Sequence, residues 1–114
     1  TFSSMPNFFA MYGPGTNLAH AGSIIFNSEC QINYICSAIE YMLDNDHKVI
    51  RVKSEVEKEY QERFDNRHKK MVWQDERVSS WYQNSKGKVV TTSPWRLVEY
   101  WNWTNNFNAD EYDF

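Results

Sequence analysis

The sequence has few of the residues that cross-link a chain or interrupt its secondary structure. Its 114 residues include four Gly, three Pro and two Cys. Cys30 and Cys36 lie in a segment whose pattern predicts a helix, where they would point about 120° apart around the axis and could not form a disulfide with each other. Two free, buried thiols are typical of a reducing compartment, so we expect a cytoplasmic protein.

A long apolar run and a surplus of positive charge are also absent. No run approaches the roughly 20 apolar residues needed to span a bilayer. Asp and Glu outnumber Lys and Arg by 15 to 12, for a formal net charge of -3. This balance gives no general attraction to nucleic acid or to acidic membranes. We therefore expect neither a nucleic-acid partner nor a membrane partner.

Aromatic residues, by contrast, are abundant. Five Trp, seven Tyr and seven Phe make up 17% of the chain. This is too much apolar surface for a disordered segment, even at a mean hydropathy of -0.73. The length suits one small domain. The first residue, Thr1, leads directly into a strand-like run, so we interpret the chain as a piece of a longer protein.

The first half of the chain predicts a strand followed by a helix. The apolar run "FFAMY", Phe8 to Tyr12, is typical of a strand buried on both faces in a parallel sheet. Residues from Ser23 to about Asp44 predict a helix with Ser23 as its N-cap. Its apolar residues at helical spacing are expected to pack, and they are Ile25, Ile32, Ile35, Cys36, Ile39, Met42 and Leu43.

A short extended segment and a second helix follow. Residues 49–52 are either a short strand or a connector. Ser54 and Glu57 stand in capping-box spacing and predict a helix start. This helix is charged on most faces and has one narrow apolar stripe, formed by Val56, Tyr60, Phe64 and Met71.

The last third predicts a β-hairpin and a third helix. Residues 79–92 indicate the hairpin, with Gly87 in its turn. Ser93 as N-cap and Pro94 at the first helical position predict the helix. The acidic tail is expected to be loose unless its aromatic residues pin it. The predicted fold is α+β and mostly helical, with one buried strand, two to three helices and a small hairpin.

The "GPG" turn, Gly13 to Gly15, is the first candidate site. A buried strand that ends in glycines before a helix presents backbone N–H groups and a positive helix end. The dinucleotide fingerprint is incomplete, because its third glycine would fall at Leu18 and Pro14 has no N–H to donate. The turn therefore suits an oxyanion, a phosphate or a flavin edge, or it is simply a turn between strand and helix.

Two blocks of the sequence resemble one enzyme family. "MPNFFAMYGPGTNLAHAGSIIFNSECQINYI" and, further on, "MVWQDERVSSWYQNSKGKVVTTSPWRLVEYW" resemble the C-terminal part of class B flavoprotein monooxygenases. This group contains the Baeyer–Villiger monooxygenases, and the 4-hydroxyacetophenone type is the most similar. The resemblance implies a C-terminal fragment of a flavoprotein with two Rossmann-like dinucleotide domains. Residues 1–48 would complete the FAD-binding domain, and residues 49–114 would form a C-terminal extension.

The resemblance also implies roles for individual residues. The loop from Gly13 to Leu18 would meet the pyrimidine edge of the flavin, with Thr16, Asn17 and Leu18 in contact. Trp81 would contact NADP in a mobile loop. The cofactor-binding residues would be Gly13, Pro14, Gly15, Thr16, Asn17, Leu18 and Trp81. Those bordering the substrate pocket would be Ala19, His20 and Ala21.

Several of these residues also have a purely structural interpretation. His20 after a turn could be a hydrogen-bonded structural residue, and Trp81 could belong to the hairpin core. Three tryptophans near the third helix favour packing, and they are Trp95, Trp101 and Trp103. His47 and His68 have no ligand-spaced Cys, Asp or Glu around them, so we predict no metal site.

The function implied by the resemblance is a Baeyer–Villiger oxidation. An FAD- and NADPH-dependent enzyme would use O2 to insert one oxygen atom beside the carbonyl of a ketone or aryl ketone. The alternatives are a flavin monooxygenase that oxygenates nitrogen or sulfur, and a non-catalytic interaction module docking through its Trp-rich helix. No catalytic residue is assigned in this chain. We expect it to be inactive without the upstream FAD and NADP domains, and to self-associate through apolar surface.

Overall fold

The computed structural model describes residues 1–19, 22–75, 77 and 79–114. Their arrangement is α+β and mostly helical, as predicted. The helices are α1 (Ile24–Asp44), α2 (Ser54–His68) and α3 (Leu97–Thr104), and short 3-10 turns lie at Val72–Gln74 and Ala109–Glu111. The strands β1 (Arg51–Val52) and β2 (Tyr112–Asp113) form a two-stranded antiparallel sheet. In the described part of the chain, no helix is long and apolar enough to cross a membrane.

Helix α1 begins where the sequence predicts. The Ser23 hydroxyl accepts a hydrogen bond from the Phe26 amide at 3.3 Å, which confirms Ser23 as the N-cap. The helix ends at Asp44, and Asp46 shortly after takes a left-handed backbone conformation with φ of 53°. A left-handed residue stops helical hydrogen bonding and turns the chain back toward β1.

The face of α1 that packs inside this chain is not the isoleucine stripe. Its buried residues are Asn27, Cys30, Gln31 and Ala38. On the predicted stripe Ile25 is 68% and Leu43 75% exposed, and Cys36 is exposed rather than buried. The expectation that this stripe packs is therefore wrong for most of its residues, although Met42 packs against the buried cluster that contains Ala38. The expectation that both thiols are buried holds for Cys30 and is wrong for Cys36. Neighbouring elements pack on the opposite face of the helix instead.

The tail is held by the small sheet. Arg51 lies opposite Asp113 and Val52 opposite Tyr112. Tyr112 joins a buried cluster with Ala38, Ile50 and Val52, and its hydroxyl is 2.9 Å from that of Tyr34. The aromatic tail is therefore pinned, and residues 49–52 include a short strand.

The predicted strand at Phe8–Tyr12 does not form. A strand needs a hydrogen-bonded neighbour, and none of the described residues pairs with this run. The left-handed conformations of Asn7 and Tyr12 (φ of 58° and 49°) also bend the chain at both ends of it. Phe8 remains 46% exposed. The prediction of one buried strand is wrong for this chain.

Helix α2 begins at Ser54, as predicted, but the predicted caps of the second and third helices do not form. Ser54 is the first residue of α2 and makes no cap, while Glu57 accepts a hydrogen bond from the Ser3 amide at 3.0 Å. Helix α3 starts at Leu97, and its first turn is stabilised by Glu99, which accepts from the Arg96 amide at 2.9 Å. The segment before it is buried and extended, so Ser93 and Pro94 lie outside the helix.

The predicted hairpin is reduced to a turn. A single antiparallel bridge joins Gln83 and Val89, and Gly87 closes the turn with φ of 72°. The glycine is where the sequence predicts it, but the flanking residues do not extend into strands. The described sheet is the β1–β2 pair alone.

We predict that Tyr112 contributes far more stability than its neighbour Phe114. Tyr112 is 6% exposed and Phe114 is 39% exposed. Replacing Tyr112→Ala should therefore lower the free energy of unfolding by about 3 kcal/mol, and Phe114→Ala by less than about 1 kcal/mol. Urea unfolding followed by tryptophan fluorescence measures both. Equal losses would show that the tail is not anchored by the buried tyrosine.

Candidate functional site

The loop from Gly13 to Leu18 is held along one side by backbone hydrogen bonds. The Gly15 amide donates to the Val90 carbonyl and the Asn17 amide to the Thr91 carbonyl, both at 3.0 Å. The Ser93 amide returns a bond to the Asn17 carbonyl at 2.9 Å. The loop therefore lies parallel to the extended segment at 90–93, with Asn17 opposite Thr92.

These bonds decide which loop amides remain available. The Asn17 amide is used inside the chain, and the Asn17 side chain accepts from the Tyr12 hydroxyl at 2.9 Å. Within the described residues, the amides of Thr16 and Leu18 have no hydrogen-bond partner. Two backbone donors on a loop held in this way can donate to acceptor atoms of a ligand.

Helix α2 supports the loop from below through Phe64. Gly15 is buried, with φ of 73°, and a Cβ placed there would lie 2.5 Å from Cε2 of Phe64. The Phe64 ring in turn packs 4.3 Å from the ring of His68, which is 3% exposed. Gly15 is therefore required twice, by its backbone conformation and by the ring against it.

Trp81 lies in an exposed turn that is tied to the same loop. Its indole is 82% exposed and contacts the Tyr82 ring at 4.7 Å between centroids. The Tyr82 carbonyl accepts from the Val90 amide at 3.4 Å, and the Val90 carbonyl accepts from Gly15. Val90 thus links the turn that carries Trp81 to the glycine loop. The alternative of Trp81 as a hairpin core residue is wrong.

The predicted substrate residues are only partly described. Ala19 is half-buried at the end of the loop, while His20 and Ala21 lie outside the described residues. At Gly22 a Cβ would lie 2.4 Å from Cδ1 of Leu97, so the chain enters α1 pressed against α3. An open apolar cleft of about 520 Å³ lies beside this contact, and its lining is Ser23, Phe26, Leu97, Val98 and Trp101.

The tryptophans near α3 divide between core and surface. Trp95 is 5% exposed, and its indole N–H donates to the Tyr60 hydroxyl at 3.1 Å. The guanidinium of Arg63 lies 5.0 Å from the Trp103 ring centre. Trp101 is 43% exposed. The Trp103 ring, although partly exposed, packs edge-on against Trp95 at 4.9 Å between centroids. The packing interpretation is therefore confirmed for Trp95 and Trp103, whereas Trp101 remains on the surface.

A second, polar cleft of about 550 Å³ lies at the end of α2, between residues 65–69 and 86–89. Both carboxylates that line it form ion pairs, Asp65 with Lys88 at 2.8 Å and Asp75 with Arg77 at 2.7 Å, and Lys69 and Lys86 line it as well. The bond from Arg77 lowers the pKa of Asp75 to about 2. Among the described residues, no group of three His, Cys, Asp or Glu side chains could hold a metal ion.

The sequence reasoning overlooked Gln31. Its side chain accepts from the Tyr12 amide at 2.8 Å and donates to the Tyr100 hydroxyl at 2.9 Å, joining the loop, α1 and α3. A signal was present, since Asn27 and Gln31 share one face of α1 at i,i+4 spacing with Cys30 and Ala38 close by. The more prominent isoleucines on the other face obscured this partly polar face.

Curated proteins that match the chain are monooxygenases by name. It is 37% identical over 110 residues to the uncharacterized monooxygenase y4iD of Sinorhizobium fredii, covering 96% of this chain and 17% of that protein. It is 34% identical over 104 residues to the FAD-binding monooxygenase ktnD of Aspergillus niger, and this match covers 88% of this chain and 17% of that protein. It is 29% identical over 113 residues to a Baeyer–Villiger monooxygenase of Pseudomonas aeruginosa, and this match covers 98% of this chain and 21% of that protein.

These likenesses confirm the resemblance seen in the sequence. The chain matches a C-terminal part of monooxygenases, with Baeyer–Villiger monooxygenases among them. It spans between 17% and 22% of the length of these relatives. No family model matches the chain, and no solved structure does.

The two left-handed glycines offer a direct test of the support beneath the loop. Gly15 and Gly87 have φ of 73° and 72°, but only the Cβ at Gly15 would meet another residue. Gly87→Ala should cost about 1 kcal/mol of backbone strain. Gly15→Ala should cost about 1–3 kcal/mol more, because the Phe64 ring has to move. Chemical denaturation of the two variants gives the difference, and equal costs would contradict the contact.

The burial of His68 predicts a loss of stability in mild acid. Burial lowers the pKa of His68, opposed in part by the carbonyls of Phe64 and Thr92 and the carboxylate of Asp65. The unfolded chain therefore binds the proton more readily than the folded chain. The contribution of neutral His68 to the free energy of unfolding should be fully present above pH about 6.5, the ordinary pKa of histidine. It should be lost as the pH drops through the lower pKa of the folded state.

His68→Gln removes this titration. Its free energy of unfolding, measured by urea titration between pH 7.5 and 5, should fall less than that of the unaltered chain. Parallel pH curves for the two proteins would show that His68 is not the responsible group.

Proposed function

We propose that this chain is the C-terminal segment of an FAD- and NADPH-dependent monooxygenase that inserts one oxygen atom beside a ketone carbonyl. The observation that carries the proposal is the likeness across nearly the whole chain to proteins named FAD-binding and Baeyer–Villiger monooxygenases. The substrate would be a ketone or aryl ketone, with O2 as the oxygen source. Residues 1–48 would complete the FAD-binding domain, and residues 49–114 would form the extension after it.

The glycine loop suits the carbonyl edge of a flavin. Thr16 and Leu18 have amides without a hydrogen-bond partner in the described structure, and both can only donate. The flavin edge would offer the matching acceptors. When bound, FAD would supply the oxygenation chemistry, with NADPH as the source of electrons.

The chain's own contribution would be binding, charge stabilisation and exclusion of water. Amides on a loop fixed by the segment at 90–93 would stabilise negative charge at the flavin edge without having to reorganise. Ala19, His20 and Ala21 would border the substrate. Trp81 would contact NADP and, as an exposed side chain on a turn, would help close the site against solvent.

The upstream FAD and NADP domains would be the chief partners, in a cytoplasmic enzyme. The exposed isoleucine face of α1 and the unpaired run at Phe8–Tyr12 support this, since both are apolar surfaces of the kind that another domain covers. Alone, the chain would bind FAD weakly or not at all, lack activity and self-associate through the same surfaces.

The test uses the intact protein that carries this chain. Purified protein is supplied with NADPH, O2 and 4-hydroxyacetophenone, and the product is analysed by mass spectrometry. We expect an ester one oxygen atom heavier than the ketone. Oxygenation of an amine or a sulfide, but of no ketone, would reassign the reaction to the related nitrogen- and sulfur-oxygenating enzymes. A protein without flavin and without NADPH turnover would overturn the proposal.

Trp81→Ala tests the role of the exposed indole. Because the side chain is 82% exposed, its removal should change the free energy of unfolding by less than about 0.5 kcal/mol. In the intact enzyme it should instead raise the KM for NADPH about tenfold and increase the share of NADPH consumed without product. Steady-state kinetics with peroxide detection measures both, and wild-type values for both would remove Trp81 from the site.

A further inference from the structure

We propose that Gln31 is a positioning residue that holds the loop from Gly13 to Leu18 in the shape needed to bind the flavin edge. This role rests on the proposed function for the identity of the ligand. The geometry itself consists of contacts inside the described chain. Gln31 is buried and bonds to the Tyr12 amide at the start of the loop, so it would act through the loop.

The Gln31 side chain bridges two elements from inside the core. It is 7% exposed, and its Oε1 accepts from the Tyr12 amide at 2.8 Å while its Nε2 donates to the Tyr100 hydroxyl at 2.9 Å. A backbone N–H can only donate, so the amide oxygen has to face Tyr12 and the amide nitrogen Tyr100. One side chain of α1 therefore fixes the start of the loop against α3.

Tyr12 needs such a restraint because its backbone is left-handed. Its φ is 49°, a region that residues other than glycine adopt at a cost and keep only when their surroundings enforce it. The Tyr12 hydroxyl reaches forward and donates to Oδ1 of Asn17 at 2.9 Å. Gln31 thus acts on both ends of the loop, on Tyr12 directly and on Asn17 through the tyrosine ring.

The buried side chain of Gln31 makes the arrangement costly to break. Gln31 is 7% exposed, whereas Tyr12 is 39% exposed, so a Tyr12 amide that lost its acceptor would turn toward water and draw the start of the loop with it. The Thr16 amide lies between the two points held by this network, Tyr12 and Asn17, and the Leu18 amide directly follows the second of them, so both would move with it. Burial also raises the pKa of Tyr100, which keeps its hydroxyl protonated.

The test compares three variants of the intact protein. Gln31→Met removes both hydrogen bonds at nearly constant volume. Gln31→Glu keeps two acceptor oxygens, one for the Tyr12 amide and one for the Tyr100 hydroxyl. Gln61→Met makes the same Gln-to-Met change on the exposed face of α2, where the Gln61 side chain, among the described residues, bonds only to Asp65 of its own helix.

Hydrogen–deuterium exchange without flavin and FAD binding by fluorescence are measured on each protein. In Gln31→Met we expect the hydrogen-bonded amides within residues 12–18, those of Tyr12, Gly15 and Asn17, to exchange about tenfold faster. The FAD dissociation constant should be about tenfold higher, in line with the loss of one partly buried hydrogen bond. Residues 51–57 should exchange as in the wild type. Gln31→Glu should restore protection over residues 12–18, and Gln61→Met should match the wild type throughout.

The outcomes separate positioning from general stability. Equal acceleration over residues 12–18 and 51–57 would reduce Gln31 to a fold-stabilising residue and overturn the inference. Faster exchange confined to residues 12–18 with unchanged FAD affinity would overturn it too, since the loop would then not meet the flavin. A wild-type protein that binds no FAD would defeat the proposed function itself, before any variant is compared, and this inference with it.

Discussion

The backbone pairing between the glycine loop and the extended segment at 90–93 is the constraint on which the rest of the site depends. Gly15 and Asn17 donate to Val90 and Thr91, which joins a part of the chain before α1 to a part that follows α2. This pairing is possible only because Gly15 has no side chain where Phe64 packs. A single glycine thus allows the loop to approach both the segment beside it and the helix beneath it.

Helix α1 has a buried, partly polar face and an exposed apolar face. The face toward α3 is partly polar. On this face, Gln31 accepts a hydrogen bond from the loop through its amide oxygen and donates one to α3 through its amide nitrogen. The other face is apolar and exposed, from Ile25 to Leu43. Apolar surface of this extent on a 21-residue helix is what a further domain would cover in the proposed enzyme. The polar face organises this chain, and the apolar face is available for association.

Local signals in the sequence predicted local structure well. The Ser23 cap, the length of α1 and the glycine at position 87 follow from short-range chemistry and were found in place. The strand at Phe8–Tyr12 failed because strands depend on partners that sequence patterns do not supply. The caps at Ser54 and Ser93 failed because tertiary contacts took precedence: Glu57 bonds to Ser3, and the segment around Pro94 is buried in an extended form. The family resemblance located the loop, but only the structure shows which amides it uses internally.

The residues that shape the loop have conformations or environments that local sequence preferences do not favour. Tyr12 has a left-handed backbone without being glycine, and Gln31 buries a side-chain amide in a helix. Along the loop, bonded and unbonded backbone amides alternate: those of Gly15 and Asn17 have acceptors in the described chain, and those of Thr16 and Leu18 do not. Each feature is unfavourable alone and is stabilised by the next: the buried amide restrains Tyr12, Tyr12 holds Asn17, and Asn17 pairs with the segment at 90–93. Among the described residues, the amides of Thr16 and Leu18, on either side of Asn17, are left without an acceptor. Because the bonded amides of Gly15 and Asn17 hold this part of the loop in place, the entropic cost of binding an acceptor beside them is lowered before any ligand arrives.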